Sequence, residues 1–159
     1  MNEPRIAHFN ETHLVGMRTH MTLGENKTGE LWQSFMPRLS EIDRVPDSGL
    51  FSVQIYPEGF SMNSGSVPFE KWAAAPVNNA NLPEGMEELI IPSGLYAVFL
   101  HHGPANTFHN TLQFIFGRWL PSSTYMLDQR PQFEIMPPGY KGPAHPDSEE
   151  EVWIPIKPK

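Results

Sequence analysis

The sequence contains no cysteine and few basic residues. Its 159 residues include 11 lysines and arginines against 18 aspartates and glutamates, which gives a formal net charge of −7. Without cysteine, the chain forms no disulfide and no thiolate metal site. No cluster of lysine or arginine occurs, although a protein that binds nucleic acid through phosphate contacts needs one. We therefore expect no direct nucleic-acid partner.

Long apolar runs are also missing. No run approaches the ~20 residues that span a membrane. The N-terminal segment, MNEPRIAH, lacks the charged-then-apolar pattern of a signal peptide. We expect a cytoplasmic protein without a membrane partner.

The common patterns of metal sites and serine nucleophiles are absent from the sequence. His101 and His102 are adjacent, so on a strand they point to opposite faces, and no H-x-H or H-x-x-x-H spacing occurs. No G-x-S-x-G turn is present either. We therefore expect no metal and no cofactor, and nothing in the sequence indicates a serine-hydrolase triad.

Proline, by contrast, is abundant. The chain has 17 prolines, about twice the usual share of ~5%, and many of them separate apolar runs. Short elements between fixed turns favour an α+β or β-rich domain over a helical bundle. Apolar periodicity and turn residues then predict the individual elements. Strands are predicted at residues 12–21, 50–56, 67–77, 86–91 and 95–101, around residue 134 and at 150–156, and helices at residues 31–42 and 107–120.

The predicted order of strand, helix, strand, strand occurs twice. A polar loop at residues 78–85 separates the two occurrences. We predict an α+β fold in which tandem β-α-β-β repeats form one mostly antiparallel sheet with two helices and a central ligand cleft. The single domain would cover residues 1–159, with pseudo-repeats at about 5–77 and 86–156. Exposed edge strands make a homodimer possible.

The segment R-P-Q-F-E-I-M at residues 130–136 places one carboxyl group among apolar neighbours. On a strand, Phe133 and Ile135 face one side and Glu134 faces the other. If that second side lines a cavity, burial raises the pKa of Glu134, and an incoming cation stabilises the charged form. Aromatic walls would add cation–π attraction of about 0.5–2 kcal/mol per well-placed ring.

Six aromatic residues are candidates for those walls. Tyr56 shares a strand face with the polar Ser52 and Gln54, and Trp72 shares one with the small Ala74, so both faces have room for a ligand. For any single aromatic residue, packing in the core is the alternative. The candidates are Trp32, Tyr56, Trp72, Tyr96, Phe99 and Trp153.

A set of motifs along nearly the whole chain resembles one known family. Each motif is weak alone, but the ordered set is specific. The motifs are ELWQSF at 30–35, Tyr56 at the end of its strand, FEKWAA at 69–74, IPSGLYAVFLHHG at 91–103, RWLPSS at 118–123, RPQFE at 130–134 and EVWIPIK at 151–157. With them the chain resembles the gyrase-inhibitor-like (GyrI-like) family, also called the effector-binding domain of AraC-type and multidrug-sensing transcription activators.

This resemblance implies the tandem fold, a central pocket and an acidic residue in the pocket floor. Glu134 matches the family's pocket glutamate. Family members bind hydrophobic and often cationic compounds, so the resemblance implies a ligand of that class. We expect a stand-alone binding protein without a DNA-binding domain, unlike the transcription-factor members.

Two other functions stay open. Some stand-alone members look like hydrolases of strained, cyclopropane-bearing electrophiles. In such an enzyme Glu134 would be the general base, and Tyr56 or Tyr96 would orient water. A remoter alternative is inhibition of DNA gyrase through an acidic, DNA-mimicking surface.

The long, irregular loop at residues 137–148 is predicted to serve as a flap.

Overall fold

The computed structural model describes residues 3–79 and 81–159. The first two residues of the expected domain, and Ala80 in the expected boundary loop, lie outside the described residues. In the part that is described, nine strands form one sheet, and no helix is long and apolar enough to cross a membrane. The strands are β1 (Arg5–Phe9), β2 (Thr12–Met21), β3 (Leu50–Ile55), β4 (Phe69–Pro76), β5 (Glu87–Ile91), β6 (Gly94–His102), β7 (Tyr125–Leu127), β8 (Gln132–Met136) and β9 (Glu149–Pro158).

The helices depart from uniform α-helical geometry. α1 (Thr28–Phe35) continues as a 3-10 helix over Met36–Glu41, whereas the apolar spacing predicts one helix over residues 31–42. Pro37 has no N–H for an α-helical hydrogen bond, so the geometry changes there. The predicted 107–120 helix is likewise composite. It has a 3-10 turn (Ala105–Thr107), then α2 (Phe108–Phe114), a π-helical turn (Ile115–Trp119) and a last turn, α3 (Leu120–Ser122).

The order of strands in the sheet is β1-β6-β9-β8-β3-β4-β2-β5, with β7 paired to β9. All strand pairs are antiparallel. The predicted α+β fold with tandem β-α-β-β repeats is therefore confirmed. β1 and β7 are additions to the predicted set of strands.

The sheet order has an internal two-fold pattern. β3-β4-β2 comes from the first half of the chain (residues 5–76) and β8-β9-β6 from the second half (residues 87–158), and β3 meets β8 at the centre. β1 pairs with β6 of the second half, while β5 pairs with β2 of the first. Each half thus lends its first strand to the edge of the other, which ties the two halves into one sheet.

The helix-free face of the sheet is covered by an aromatic core centred on Phe133. The centroid of the Phe133 ring lies 4.9 Å from that of Phe9, 5.3 Å from that of Phe51 and 5.5 Å from that of Trp153. Phe133 is fully buried. Such a cluster gains both area burial and favourable ring geometry, so it anchors the central strands.

Both helices lie on the opposite face, one over each half. In the first half, Phe35 of α1 packs in a cluster with Val15 and Ala73. In the second, Ile115 packs in a cluster with Ala97 and Ile154. The two helix cores cover the outer parts of this face and leave β3 and β8, at the centre, to line the space between them.

Candidate functional site

A cavity of about 1010 Å³ lies between the two helices, above the central strands. Its floor is formed by residues of β3, β4, β8 and β9 that project to the helix-bearing face. Trp32 of α1 and Phe108 and Leu112 of α2 form opposite walls. The volume is at the upper end of the ~300–1,000 Å³ typical of small-molecule pockets.

Three polar side chains meet on the floor of this cavity. Glu134 Oε1 accepts a hydrogen bond from Gln54 Nε2 at 2.8 Å and lies 3.8 Å from Lys71 Nζ. The strand register places Gln54 directly opposite Lys71, and Lys71 reaches across β3 to Glu134 on β8. Glu134 is 7% exposed and Lys71 is 5% exposed, so this is a nearly dry ion pair.

Burial acts on both members of this pair. It raises the pKa of Glu134, and the nearby Lys71 and the hydrogen bond from Gln54 oppose that rise. Burial lowers the pKa of Lys71, which the charge of Glu134 opposes. Because each partner offsets the other's desolvation, removal of one of them would leave an uncompensated charge in the cavity.

Glu150 is a second carboxyl group at the cavity. It lies on β9 and is half-buried. Burial, then the charge of Glu134, raises the pKa of Glu150 to about 7, with Lys71 acting in the opposite direction. The floor of the cavity therefore combines two carboxyl groups with one buried ammonium group, and the exposed Arg44 and Asp47 complete the charged residues of the lining.

An aromatic cluster lies at one edge of the cavity. The Tyr56 ring lies 4.4 Å from Phe60 and 4.8 Å from Phe69, centroid to centroid, and both Tyr56 and Phe69 line the cavity. Burial, with a smaller contribution from Glu134, raises the pKa of Tyr56. Tyr56 is therefore neutral at physiological pH and offers a ligand its ring and its hydroxyl group.

The structure brings together three of the residues predicted from the sequence. Glu134, Trp32 and Tyr56 all line the cavity, from a strand, a helix and a strand end respectively. The other four candidate aromatic residues lie outside the cavity lining. They are Trp72, Tyr96, Phe99 and Trp153.

The expectation that those four residues form cavity walls is corrected by the faces they occupy. Trp72 follows Lys71 on β4, and because Lys71 faces the cavity, Trp72 faces the helix-free side. Tyr96 and Trp153 belong to the same aromatic core. Phe99 lies on the helix-bearing face, but it packs in the core under the second helix, with its ring 5.2 Å from that of Trp119.

The hydroxyl group of Tyr96 points to a backbone partner and not into the cavity. Its hydroxyl group donates to the carbonyl oxygen of Pro131 at 2.8 Å, and the guanidinium group of Arg130 lies 4.7 Å from its ring centroid. Burial raises the pKa of Tyr96 to about 12. Tyr96 is therefore not placed to orient water beside Glu134, which leaves Tyr56 as the tyrosine of the two that lines the cavity.

Lys71, Gln54 and Glu150 were not predicted as site residues. A signal for Lys71 does exist in the sequence, because it is a lone cation in the strand FEKWAAAP and shares a face with Phe69. Gln54 similarly shares the face of Tyr56. Their pairing with Glu134 depends on which strands are neighbours in the sheet, and local patterns do not show that.

The predicted flap at residues 137–148 lies against the cavity, which Pro137, Tyr140 and Pro143 help to line. Its end is tied to the start of the second helical segment. Gly103 N–H donates to the carbonyl oxygen of Ser148 at 2.7 Å, and Ala105 N–H donates to that of Pro143 at 2.7 Å. The segment is thus a strap held at its C-terminal part.

Comparisons with known proteins match this fold. The family model of the GyrI-like small molecule binding domain matches residues 2–157. The transcriptional regulator BrlR of Pseudomonas aeruginosa is 31% identical over 157 residues, which cover 96% of this chain and 54% of BrlR. The chain thus spans about half the length of that curated relative.

Two solved structures share the fold at low sequence identity. The structure of SAV2435 bound to tetraphenylphosphonium has a TM-score of 0.73 at 15% identity, and the match covers 98% of this chain and 94% of SAV2435. EcmrR in its DNA complex has a TM-score of 0.71 at 11% identity, with 99% of this chain and 58% of EcmrR covered. Because the family model matches nearly the whole of this chain, the chain belongs to the GyrI-like small molecule binding domain family.

Proposed function

We propose that the cavity binds a hydrophobic organic cation. One observation carries this proposal, namely that the floor of the cavity holds two carboxyl groups, Glu134 and Glu150, and one buried ammonium group, Lys71. The two other charged residues of the lining, Arg44 and Asp47, are exposed and have opposite charges. When all three groups are ionised, the floor carries one net negative charge. In a poorly solvated cavity that charge favours a cationic ligand.

The walls support the hydrophobic part of the proposal. Trp32, Tyr56, Phe69 and Phe108 surround the floor with aromatic surface. Such rings bury apolar groups and also attract a cation through their faces, by about 0.5–2 kcal/mol per well-placed ring. The related fold of SAV2435, which was determined with tetraphenylphosphonium bound, supports a ligand of similar size and charge.

A pair of probes with matched shapes tests the proposal. Tetraphenylphosphonium and tetraphenylborate both have four phenyl groups, but they have opposite charges. Calorimetric titration of the intact chain at pH 8 should show at least ~10-fold tighter binding of the phosphonium, about 1.4 kcal/mol. Equal affinity, or a preference for the borate, would show that the cavity does not select cations.

A turnover assay tests the hydrolase alternative. Glu134 and Tyr56 both line the cavity, but the nearest described partner of Glu134 is an amide nitrogen, that of Gln54. A binding protein returns its ligand unchanged. Incubation with cyclopropane-bearing electrophiles, followed by mass spectrometry, would detect turnover, and turnover that disappears in Glu134→Gln would replace the binding function with an enzymatic one.

A further inference from the structure

The charge of Glu134 is already balanced within the protein. Lys71 Nζ lies 3.8 Å from Glu134 Oε1, the oxygen that also accepts the hydrogen bond from Gln54. Both members of the ion pair are almost fully buried. A ligand cation that approached Glu134 would therefore meet the ammonium group of Lys71 beside it, and the Coulomb repulsion between the two cations would oppose much of the attraction to the carboxylate.

Glu150 is in the opposite situation. Its side chain lines the same cavity from β9. Within residues 3–79 and 81–159 it forms no hydrogen bond and no salt bridge by ordinary distance limits. Its neighbours on the same strand do have partners, because Glu149 lies 3.8 Å from His102 and Glu151 lies 3.0 Å from Arg5. The third carboxyl group in the cavity lining, Asp47, is exposed, so Glu150 is the partly buried carboxyl group of the cavity without a protein counter-ion in contact.

The charged and titratable groups around Glu150 come from four elements. Glu134 of β8 and Lys71 of β4 influence it electrostatically from the floor. Burial, then the charge of Glu150, raises the pKa of Tyr140 in the strap to about 12. His101 of β6 is the cross-strand neighbour of Glu150. Both ring nitrogens of His101 have other partners, Thr111 Oγ1 at 2.6 Å and the carbonyl oxygen of Pro104 at 3.1 Å.

We propose that Glu150, and not Glu134, is the carboxylate that meets the cationic centre of the ligand, while Lys71 acts as the fixed internal counter-ion of Glu134. This inference rests on the proposed cation-binding function and assigns its charged partner. The cation then takes the place beside Glu150 that no protein group fills, and the buried Lys71–Glu134 pair remains intact beneath it.

Proton release follows from this assignment. Burial and the charge of Glu134 raise the pKa of Glu150 to about 7, so part of the protein carries a neutral Glu150 at physiological pH. A bound cation stabilises the charged form and expels that proton. The affinity for a permanent cation should therefore weaken as the pH falls below 7, by up to ~10-fold per pH unit, because the protein and not the ligand titrates.

Two isosteric variants separate the candidate partners. Glu150→Gln removes the free carboxylate. The double variant Lys71→Met/Glu134→Gln removes the internal pair and leaves Glu150. At pH 8, Glu150→Gln should bind tetraphenylphosphonium at least ~10-fold more weakly than the wild type, about 1.4 kcal/mol, and the double variant should stay within ~3-fold of the wild type. Glu151→Gln is the matched control, because it changes the net charge equally at a residue outside the cavity lining.

Each outcome decides the assignment. Wild-type affinity in Glu150→Gln would overturn it, and a large loss in the double variant would show that Glu134 is not neutralised by Lys71. If the double variant does not fold, the comparison of pH 6 with pH 8 in the wild type and Glu150→Gln decides instead, since only the wild type should lose affinity at pH 6. Failure of the wild type to prefer tetraphenylphosphonium over tetraphenylborate would contradict the proposed function itself, and the assignment with it.

Discussion

The two halves of the molecule share a scaffold but differ in the side chains that they present to the cavity. On the helix-free face the halves match closely. Trp72 Nε1 donates to Glu70 at 3.1 Å, and Trp153 Nε1 donates to Glu151 at 3.2 Å. These tryptophans are equivalent by register, since Trp72 lies opposite Val53 and Trp153 lies opposite Phe133 on the corresponding strands.

The turns after the central strands match as well. Residues 57–60 read P-E-G-F and residues 137–140 read P-P-G-Y. In each turn the fourth residue donates its N–H to the proline carbonyl oxygen, at 3.1 Å for Phe60 and 3.0 Å for Tyr140. Gly59 and Gly139 have φ angles of 79° and 82°, a left-handed conformation that favours glycine.

The floor of the cavity breaks this two-fold pattern. Where the first half has Gln54, the second has Glu134, and where the first half has Phe69, the second has Glu150. Lys71 corresponds in turn to Val152. The repeated positions support the fold, and the positions that differ give the cavity its charges. The difference between the halves, rather than the repeat itself, therefore carries the proposed function.

The largest effect on stability should come from replacing Glu134 with glutamine, the residue that the first half has at the corresponding position, Gln54. Glu134→Gln alone leaves the buried Lys71 without its carboxylate partner, and this should lower the free energy of unfolding by about 3–5 kcal/mol at pH 7 in urea denaturation. The double variant Lys71→Met/Glu134→Gln should recover most of that loss. If the single and double variants are equally stable, the two side chains do not form a coupled pair.

The next effect tests the part that the halves share. Trp72→Phe and Trp153→Phe each remove one hydrogen bond and part of a buried ring, and each should cost about 1–2 kcal/mol of stability. Because both tryptophans lie outside the cavity lining, neither variant should change the affinity for tetraphenylphosphonium by more than ~2-fold. If the affinity for tetraphenylphosphonium falls together with stability in either variant, that tryptophan contributes to ligand binding.

The helices offer a smaller test at the cavity wall. Trp32 of α1 and Leu112 of α2 occupy corresponding positions in the two halves, and both line the cavity. Trp32→Leu makes the walls alike and removes a cation–π contact of about 0.5–2 kcal/mol. Calorimetry should show tetraphenylphosphonium binding weakened by ~3- to 30-fold, whereas Leu112→Ala should affect the phosphonium and the borate equally.

The last effect concerns the pH dependence of stability without ligand. The folded chain raises the pKa of Glu150 to about 7, above its usual value near 4.3. Between those values the folded state holds a proton that the unfolded state has lost, so stability falls as the pH rises through this window. Glu150→Gln should remove this loss and be more stable than the wild type by about 1–2 kcal/mol at pH 8, once the partial exposure of Glu150 is allowed for. At pH 4 the two proteins should be equally stable in urea denaturation, and a constant difference across pH would contradict the shift.

Local patterns account for much of the fold. The central strand at residues 50–56 follows from alternation of apolar residues, the strand at residues 12–21 follows from its apolar and β-branched residues, and the order of elements gives the repeat. β1 was not predicted, because its pairing with β6 joins residues about 90 positions apart in sequence. The π-helical turn at Ile115–Trp119 was not predicted either, since it differs from an α-helix only in its hydrogen-bond partners.

The site could be predicted less completely than the fold. Glu134 is predicted because it is a carboxyl group among apolar neighbours and matches the family resemblance, and Tyr56 because it shares a strand face with polar residues; both line the cavity. Trp72 is predicted because it shares a strand face with the small Ala74, and Trp153 because it is aromatic, whereas the alternation of their strands relative to Lys71 and Ile154 directs both away from the cavity. Lys71 lies 63 positions from Glu134 in the chain. The two side chains meet because their strands, β4 and β8, are both neighbours of β3 in the sheet.

Proton release on ligand binding tests the central claim most directly. Tetraphenylphosphonium should be titrated into the wild type at pH 7 in two buffers that differ in ionisation enthalpy. The wild type should release up to ~0.5 proton per cation bound, because a carboxyl group with a pKa of about 7 is half protonated at pH 7. Glu150→Gln should release none. Cation binding without proton release in the wild type would contradict the assignment of Glu150 as the partner of the ligand.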